Sequence, residues 1–231
     1  MKVELVQHTP DPVGLIAMAA RCCYSDDPRK ETKKTPEELV RFILEGHHES
    51  PVEHVTYTFY IQGISRACSH QLVRHRLSSV SQRSQRYVSE DNFSYVIPPK
   101  LEGKSVCHDG LQTSATEFFK ETMRIIGERY RILQEALGGA KESSNEDARY
   151  VLPNACTTDL MLSMNIRSLL HLFQERQCSR AQWEIRELAN KMLELVYPTA
   201  PVVFEHAGPK CKYLGYCPEH KSCGISPKRN S

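Results

Sequence analysis

No stretch of the 231 residues approaches the roughly 20 consecutive apolar residues that a membrane-spanning helix requires. The short apolar run near the start is interrupted by Glu4, so it does not read as a secretory leader. Neither a phosphate-binding loop nor a dinucleotide fingerprint of glycines is present. The pair Gly138-Gly139 closes a helical pattern instead, and a nucleotide cofactor would have to bind without a Rossmann crevice. Excess charge is missing too. With 30 basic and 28 acidic residues the net charge is +2, which argues against a general coating of nucleic acid and makes any anion site a local concentration. Nine cysteines, an odd number, do not suggest a disulfide framework, and the expected compartment is a reducing cytoplasm.

The local concentration is Gln71 to Tyr87, QLVRHRLSSVSQRSQRY. It holds four arginines and no acid. Arg74, Arg76, Arg83 and Arg86 can grip phosphate or another planar anion through paired hydrogen bonds, which lysine cannot copy. With 40% hydrophobic residues the chain also has enough apolar material for a substantial core.

Hydrophobic periodicity orders the rest. Val3 to Gln7 reads as an opening strand and Pro12 to Arg21 as a helix with proline in its first turn. Thr35-Pro36-Glu37-Glu38 combines a capping box with proline at the first helical position; Leu39, Phe42 and Ile43 form its apolar face and Gly46 ends it. HHESPVEH then packs three histidines and two acids into eight residues. Pro51 breaks any helix there, so the i, i+4 geometry of a zinc motif is absent and no metal is assigned.

Val55, Tyr57, Phe59 and Ile61 alternate with polar residues as in a half-buried strand closing at Gly63. Ile64 to about Leu77 reads as a helix, on which Arg74 and Arg76 point to opposite sides, one toward substrate and one toward cofactor. Beyond a turn, Ser84, Arg86 and Val88 share one face of an extended segment, a phosphate grip. Phe93 to Ile97 is expected to be a strand, about Leu111 to Leu137 a long helix read as scaffold, with a subunit contact as the other role weighed, and Leu160 to Ile166 another strand. Two helices follow, with Arg167 and His171 on one face of the first. Past His206, Cys211, Cys217 and Cys223 stand too far apart in sequence for a usual zinc pattern, so a metal-free surface tail is expected. The domain reading is a catalytic domain over 1–205 and a tail over 206–231.

Arg74-His75-Arg76, followed after seven residues by Ser84, resembles the signature of the flavin-dependent thymidylate synthases. EDARYVLP at Glu146 to Pro153 and NIRSLLHLFQERQCSRAQWEI from Asn165 are similar to the family's later segments, in the same order. The resemblance implies an α+β fold, a twisted, mainly antiparallel sheet surrounded by helices with a long helical segment. It implies conversion of dUMP to dTMP with FAD, methylenetetrahydrofolate as one-carbon donor and NADPH as reductant, in a homotetramer whose active sites are shared between subunits.

Residue by residue, the resemblance places His48, Ser50, Arg74, His75, Arg76, Gln82, Asn165, Arg167 and His171 at FAD. Gln71, Arg74, Gln82, Ser84, Arg86, Arg149 and Arg176 fall at dUMP, and Arg176 matches the arginine credited with polarising the uracil ring. Ser81-Gln82 replaces a frequent Asn-Glu, and His171 stands where asparagine is common; Gln82 brings hydrogen bonds but no charge. The readings to set against this one are another nucleotide-modifying flavoenzyme and an arginine-rich nucleic-acid-binding protein.

Overall fold

A computed structural model describes residues 1–30 and 33–228. Six strands are present among them: β1 (Lys2–His8), β2 (Thr56–Ser65), β3 (Ser78–Gln82), β4 (Ser105–His108), β5 (Leu111–Ser114) and β6 (Thr157–Asn165). The longer helices are α1 (Pro12–Arg21), α2 (Pro36–Glu45), α4 (Ala115–Ala136), α6 (Ile166–Arg176) and α7 (Trp183–Val196). Short helices α3 (Arg66–Leu72), α5 (Glu142–Ala148), α8 (Pro201–Phe204) and α9 (Lys210–Leu214) complete the α+β class. The main sheet is mostly antiparallel, with strand order β1-β2-β6-β3.

The chain divides into two compact units. One comprises Met1–Ile61, Gln71–Val80 and Met161–Ser231, the other Gln62–His70 and Ser81–Leu160. In the first, the inward residues of β2 are Tyr57, Phe59 and Ile61, all fully buried, with Leu162 and Met164 from β6 in the same core. Ile166, Leu169, Leu172 and Phe173 of α6 join them, as do Ile185, Leu188 and Met192 of α7. Each such side chain contributes about 1.5–3 kcal/mol of burial. Helix α1 packs on α2, and α6 packs on α7. Local chemistry sets the ends. Thr35 and Glu38 make the reciprocal capping box, Thr35 Oγ1 accepting from the Glu38 N–H at 3.2 Å and Glu38 Oε2 from the Thr35 N–H at 2.8 Å.

The second unit has α4 beside α5, with Met123, Tyr130 and Gln134 buried along α4. It also shows where local reading misjudged the chain. The expected helix from Leu111 begins only at Ala115, because Leu111–Ser114 pairs antiparallel with Ser105–His108. The loop between them is Asp109-Gly110, with φ of 52° and 76°; both central residues have the positive φ that a two-residue hairpin favours. Apolar residues at seven-residue spacing on α4, Phe118, Ile125 and Ile132, remain 38–47% exposed.

Other expectations need correction. Gly63 lies inside β2 rather than closing it; its φ of 68° lets the strand continue while its N–H donates to Asp159 Oδ1 at 2.8 Å. Helix α3 stops at Leu72, five residues early: His75 and Arg76 stand three and four residues beyond Leu72, Val73 and Leu77 stay exposed, and β3 starts at Ser78. Tyr95 makes one isolated bridge to Cys156 instead of belonging to a strand. Phe42 is 56% exposed, with the Lys34 ammonium 3.6 Å from its ring centroid. In the segment after His206, Ala207, Gly208 and Cys217 are the buried residues among those described, and Lys210 pairs with Glu175 at 2.6 Å.

Candidate functional site

In the first unit α6 is the positioning element. Asn165 caps it, its Oδ1 accepting from the Ser168 N–H at 2.9 Å, so this side chain keeps only its amide N–H groups for another partner. From that start, Arg167, His171 and Arg176 fall along the helix, and the turn after α3 brings Arg74, His75 and Arg76. These six line one open cavity of about 660 Å³.

Because α3 ends early, Arg74 and Arg76 are turn residues rather than opposite faces of a helix. Both are exposed and neither carries an ion pair among the described residues. Arg167 is held by acids, Nη1 on Glu53 at 2.5 Å and Nε beside Glu49 at 3.3 Å. Its positive charge is partly spent within the protein.

At the other side of the cavity Arg176 Nε donates to His75 Nε2 at 3.0 Å, and the His75 and His171 rings meet edge to face at 5.9 Å. Accepting at Nε2 requires neutral imidazole with its proton on Nδ1. Burial, then the charge of Arg176, then His171 lower the His75 pKa to about 4, so it is neutral at physiological pH. A neutral histidine inside a cluster of cations therefore orients one guanidinium edge and leaves the terminal nitrogens of Arg176 for a ligand.

His48 and Ser50 line a different cavity of the same unit, about 630 Å³, beside Phe42 and Pro51. Gln71 is half-buried at the end of α3.

The remaining candidates belong to the second unit. Residues 84–88 form a turn closed by the Val88 N–H to Ser84 O at 3.1 Å, so Ser84 and Arg86 do not share the face of an extended segment as expected. Ser84 Oγ accepts from the Arg86 N–H at 3.2 Å, and Asn145 Nδ2 donates to the Arg86 carbonyl at 2.8 Å. Asn145 is fixed in turn by Gln134, whose Nε2 donates to its Oδ1 at 2.5 Å. This buried polar network was not legible in the sequence, for Gln134 and Asn145 stand on either side of the Gly138-Gly139 turn and belong to no motif.

The Arg86 guanidinium pairs with Glu142 at 2.8 Å and Glu146 at 3.3 Å, while Arg83 sits between Glu90 and Asp159 at 3.4 and 3.6 Å. Arg149 Nε donates to the Glu146 carbonyl at 3.1 Å. Gln82 spends its amide on Ser69 and Thr158, both at 3.1 Å, leaving its carbonyl oxygen for other contacts.

The donor chemistry of the first cavity, four guanidinium groups of which Arg74, Arg76 and Arg176 carry no ion pair among the described residues, fits phosphorylated ligands such as a dinucleotide or a nucleoside monophosphate. Among the described residues no helix is long and apolar enough to cross a membrane.

Residues 4–202 match the family described as Thymidylate synthase complementing protein. The chain is 43% identical to the flavin-dependent thymidylate synthase of Nitratidesulfovibrio vulgaris, covering 100% of this chain and 97% of that protein. Identity to the enzyme of the same name from Geobacter sulfurreducens is 45%, over 97% and 94% of the two chains. In three dimensions it is similar to the flavin-dependent thymidylate synthase of Helicobacter pylori solved with FAD and dUMP. The TM-score there is 0.66 at 27% identity, over 90% of this chain and 100% of that one. A match spanning most of the chain, and relatives this similar over nearly its full length, establish that the chain belongs to the flavin-dependent thymidylate synthase family.

Proposed function

We propose that this protein converts dUMP to dTMP, with FAD as bound cofactor, methylenetetrahydrofolate as one-carbon donor and NADPH as reductant, in the cytoplasm. The observation that carries the reading is the 3.0 Å hydrogen bond from Arg176 Nε to a neutral His75 within the cavity lined by Arg74, Arg76, Arg167 and His171. When bound, FAD supplies the redox chemistry between NADPH and the one-carbon unit.

The chain's own residues bind and orient. Arg74, Arg76 and Arg167 hold anionic groups of FAD together with His75, His171 and the Asn165 amide; His48, Ser50 and Gln82 are the other FAD contacts. Gln71, Arg74, Gln82, Ser84, Arg86 and Arg149 hold dUMP. The carbon of uracil that accepts the methyl group is a weak nucleophile. A guanidinium that stays protonated beside the ring stabilises negative charge as it develops there, and this is the role of Arg176. His75 positions it, accepting from Nε so that the two terminal nitrogens face the ring.

A homotetramer with active sites shared between subunits completes the reading. The row Phe118, Ile125 and Ile132 on α4, exposed in the single chain, supports a subunit contact on that helix. Reading the arginine run as a nucleic-acid surface is not favoured, since Arg83 and Arg86 are already matched by acids. The test is anaerobic: reduce the purified protein with NADPH, then add dUMP with and without methylenetetrahydrofolate. Flavin reoxidation with folate-dependent dTMP is the expected result; bound flavin without dTMP would move the substrate to another nucleotide.

A further inference from the structure

We propose that Asn145, held by Gln134, is a positioning residue for substrate: it fixes the backbone of Arg86, and with it the turn that presents Ser84 and Arg86 to the phosphate of dUMP. This role rests on the reading that those two side chains hold dUMP.

Arg86 is gripped in two different ways. Its guanidinium pairs with Glu142 at 2.8 Å and Glu146 at 3.3 Å, both exposed carboxylates. A phosphate arriving at that guanidinium displaces them, so they cannot be what holds Arg86 in place for the ligand. The backbone grip survives the exchange. Both polar groups of the Arg86 backbone are engaged, the N–H by Ser84 Oγ at 3.2 Å and the carbonyl by Asn145 Nδ2 at 2.8 Å. With Ser84 Oγ accepting from that N–H, its own O–H remains to donate to a phosphate oxygen.

Burial makes this grip firm. Asn145 and Gln134 are each only 3% exposed. Gln134 Nε2 donates to Asn145 Oδ1 at 2.5 Å and to Ser89 Oγ at 3.0 Å, while Tyr130, one turn earlier on α4, accepts the Glu90 N–H at 3.3 Å. Residues 86, 89 and 90 are thus fastened to the α4–α5 pair, and a buried polar network whose members are satisfied specifies one geometry.

The two ends of the Asn145 amide do different things. The Oδ1 bond to Gln134 joins α5 to α4 and serves packing. The Nδ2 bond reaches out of the helix pair to a loop carbonyl, and its consequence is the placement of Arg86. Along the chain, Glu142, Asn145, Glu146 and Arg149 stand at i, i+3, i+4 and i+7, the spacing of one helical face. The residue that fixes Arg86 therefore lies one turn before Arg149. Asn145 sets the separation of the two guanidinium groups assigned to dUMP.

The test is equilibrium dialysis of dUMP against the FAD-loaded full-length protein, with kcat and KM measured alongside. Asn145→Ala should weaken dUMP binding and raise its KM by about 10-fold, the scale of one lost buried hydrogen bond, with kcat at saturating dUMP unchanged. Asn145→Asp keeps an acceptor for Gln134 but sets a carboxylate oxygen against the Arg86 carbonyl, so it should bind dUMP at least as poorly. In an Arg86→Ala background, Asn145→Ala should cost less than about three-fold, because the two residues act together. Met123→Ala, which opens a buried site elsewhere on α4, should lower the Tm and leave dUMP affinity unchanged. Unchanged binding in both Asn145 variants, beside a wild type that binds dUMP, would overturn the positioning role alone. So would an equal loss in Met123→Ala, or the full loss persisting in the Arg86→Ala background. A wild type that binds FAD but no dUMP would overturn the substrate reading and this role with it.

Discussion

The run from Gln71 to Tyr87 delivers two pairs of arginines into different settings. Arg74 and Arg76, in the first unit, are exposed and carry no ion pair among the described residues; Arg83 and Arg86, in the second, are matched by Glu90, Asp159, Glu142 and Glu146. The four are equivalent as residue types, yet only the first pair stands ready for an anion without exchanging partners. A second contrast lies within the cation cluster itself. Arg176 is oriented by a histidine that its own charge helps keep neutral, whereas Arg86 is held by carboxylates that a phosphate would have to displace.

The largest expected effect sharpens this contrast. Arg176→Ala should lower kcat/KM for dTMP formation by roughly 10²–10³-fold while the protein stays folded and flavin-bound, because it removes a preorganised charge at the ring. Normal turnover in that variant would return the chemistry to another group. Next, Arg74→Ala deletes a free guanidinium, and charge-assisted hydrogen bonds contribute about 1.5–3 kcal/mol each, so FAD or dUMP affinity should fall by about 10- to 100-fold in equilibrium titrations. An equal loss from Arg83→Ala would erase the distinction between the two pairs.

The neutral histidine predicts a pH dependence. With a folded pKa of about 4 against 6.5 when unfolded, His75 binds more protons in the unfolded chain between those values. Its contribution to stability is therefore complete above about pH 6.5 and is lost as pH falls toward 4. Urea midpoints should decline less over that range in His75→Gln than in wild type; parallel declines would place the acid sensitivity elsewhere. The smallest effect is a gain. Exposed ion pairs contribute about 0–1 kcal/mol, so Glu142→Gln, by removing one of the two carboxylates on Arg86, should tighten dUMP binding by at most about five-fold. Weaker binding would mean that Glu142 positions Arg86 rather than competing for it.

Periodicity placed β1, α1, α2 and the helices α6 and α7, because each has a clear apolar face or a capping signal in its own residues. It failed where a neighbour decided. The Asp109-Gly110 hairpin took Leu111–Ser114 from the helix, and Gly63 let β2 run on because its N–H found the Asp159 carboxylate. The same division holds at the site. Arg74-His75-Arg76, Ser84 and the segment around Arg176 were visible as a pattern of residue types at fixed spacing, but the sequence could not show that His75 would accept from Arg176, 101 positions away.

What the sequence by itself determined is the chemical inventory: guanidinium groups for anions, the family resemblance and hence the reaction, and the strongly periodic elements. Only the tertiary structure decided which arginines acids would claim, which histidine burial would keep neutral, and that Asn145 would hold the carbonyl of Arg86. Partnership and burial depend on residues distant in sequence, and charge state follows from both.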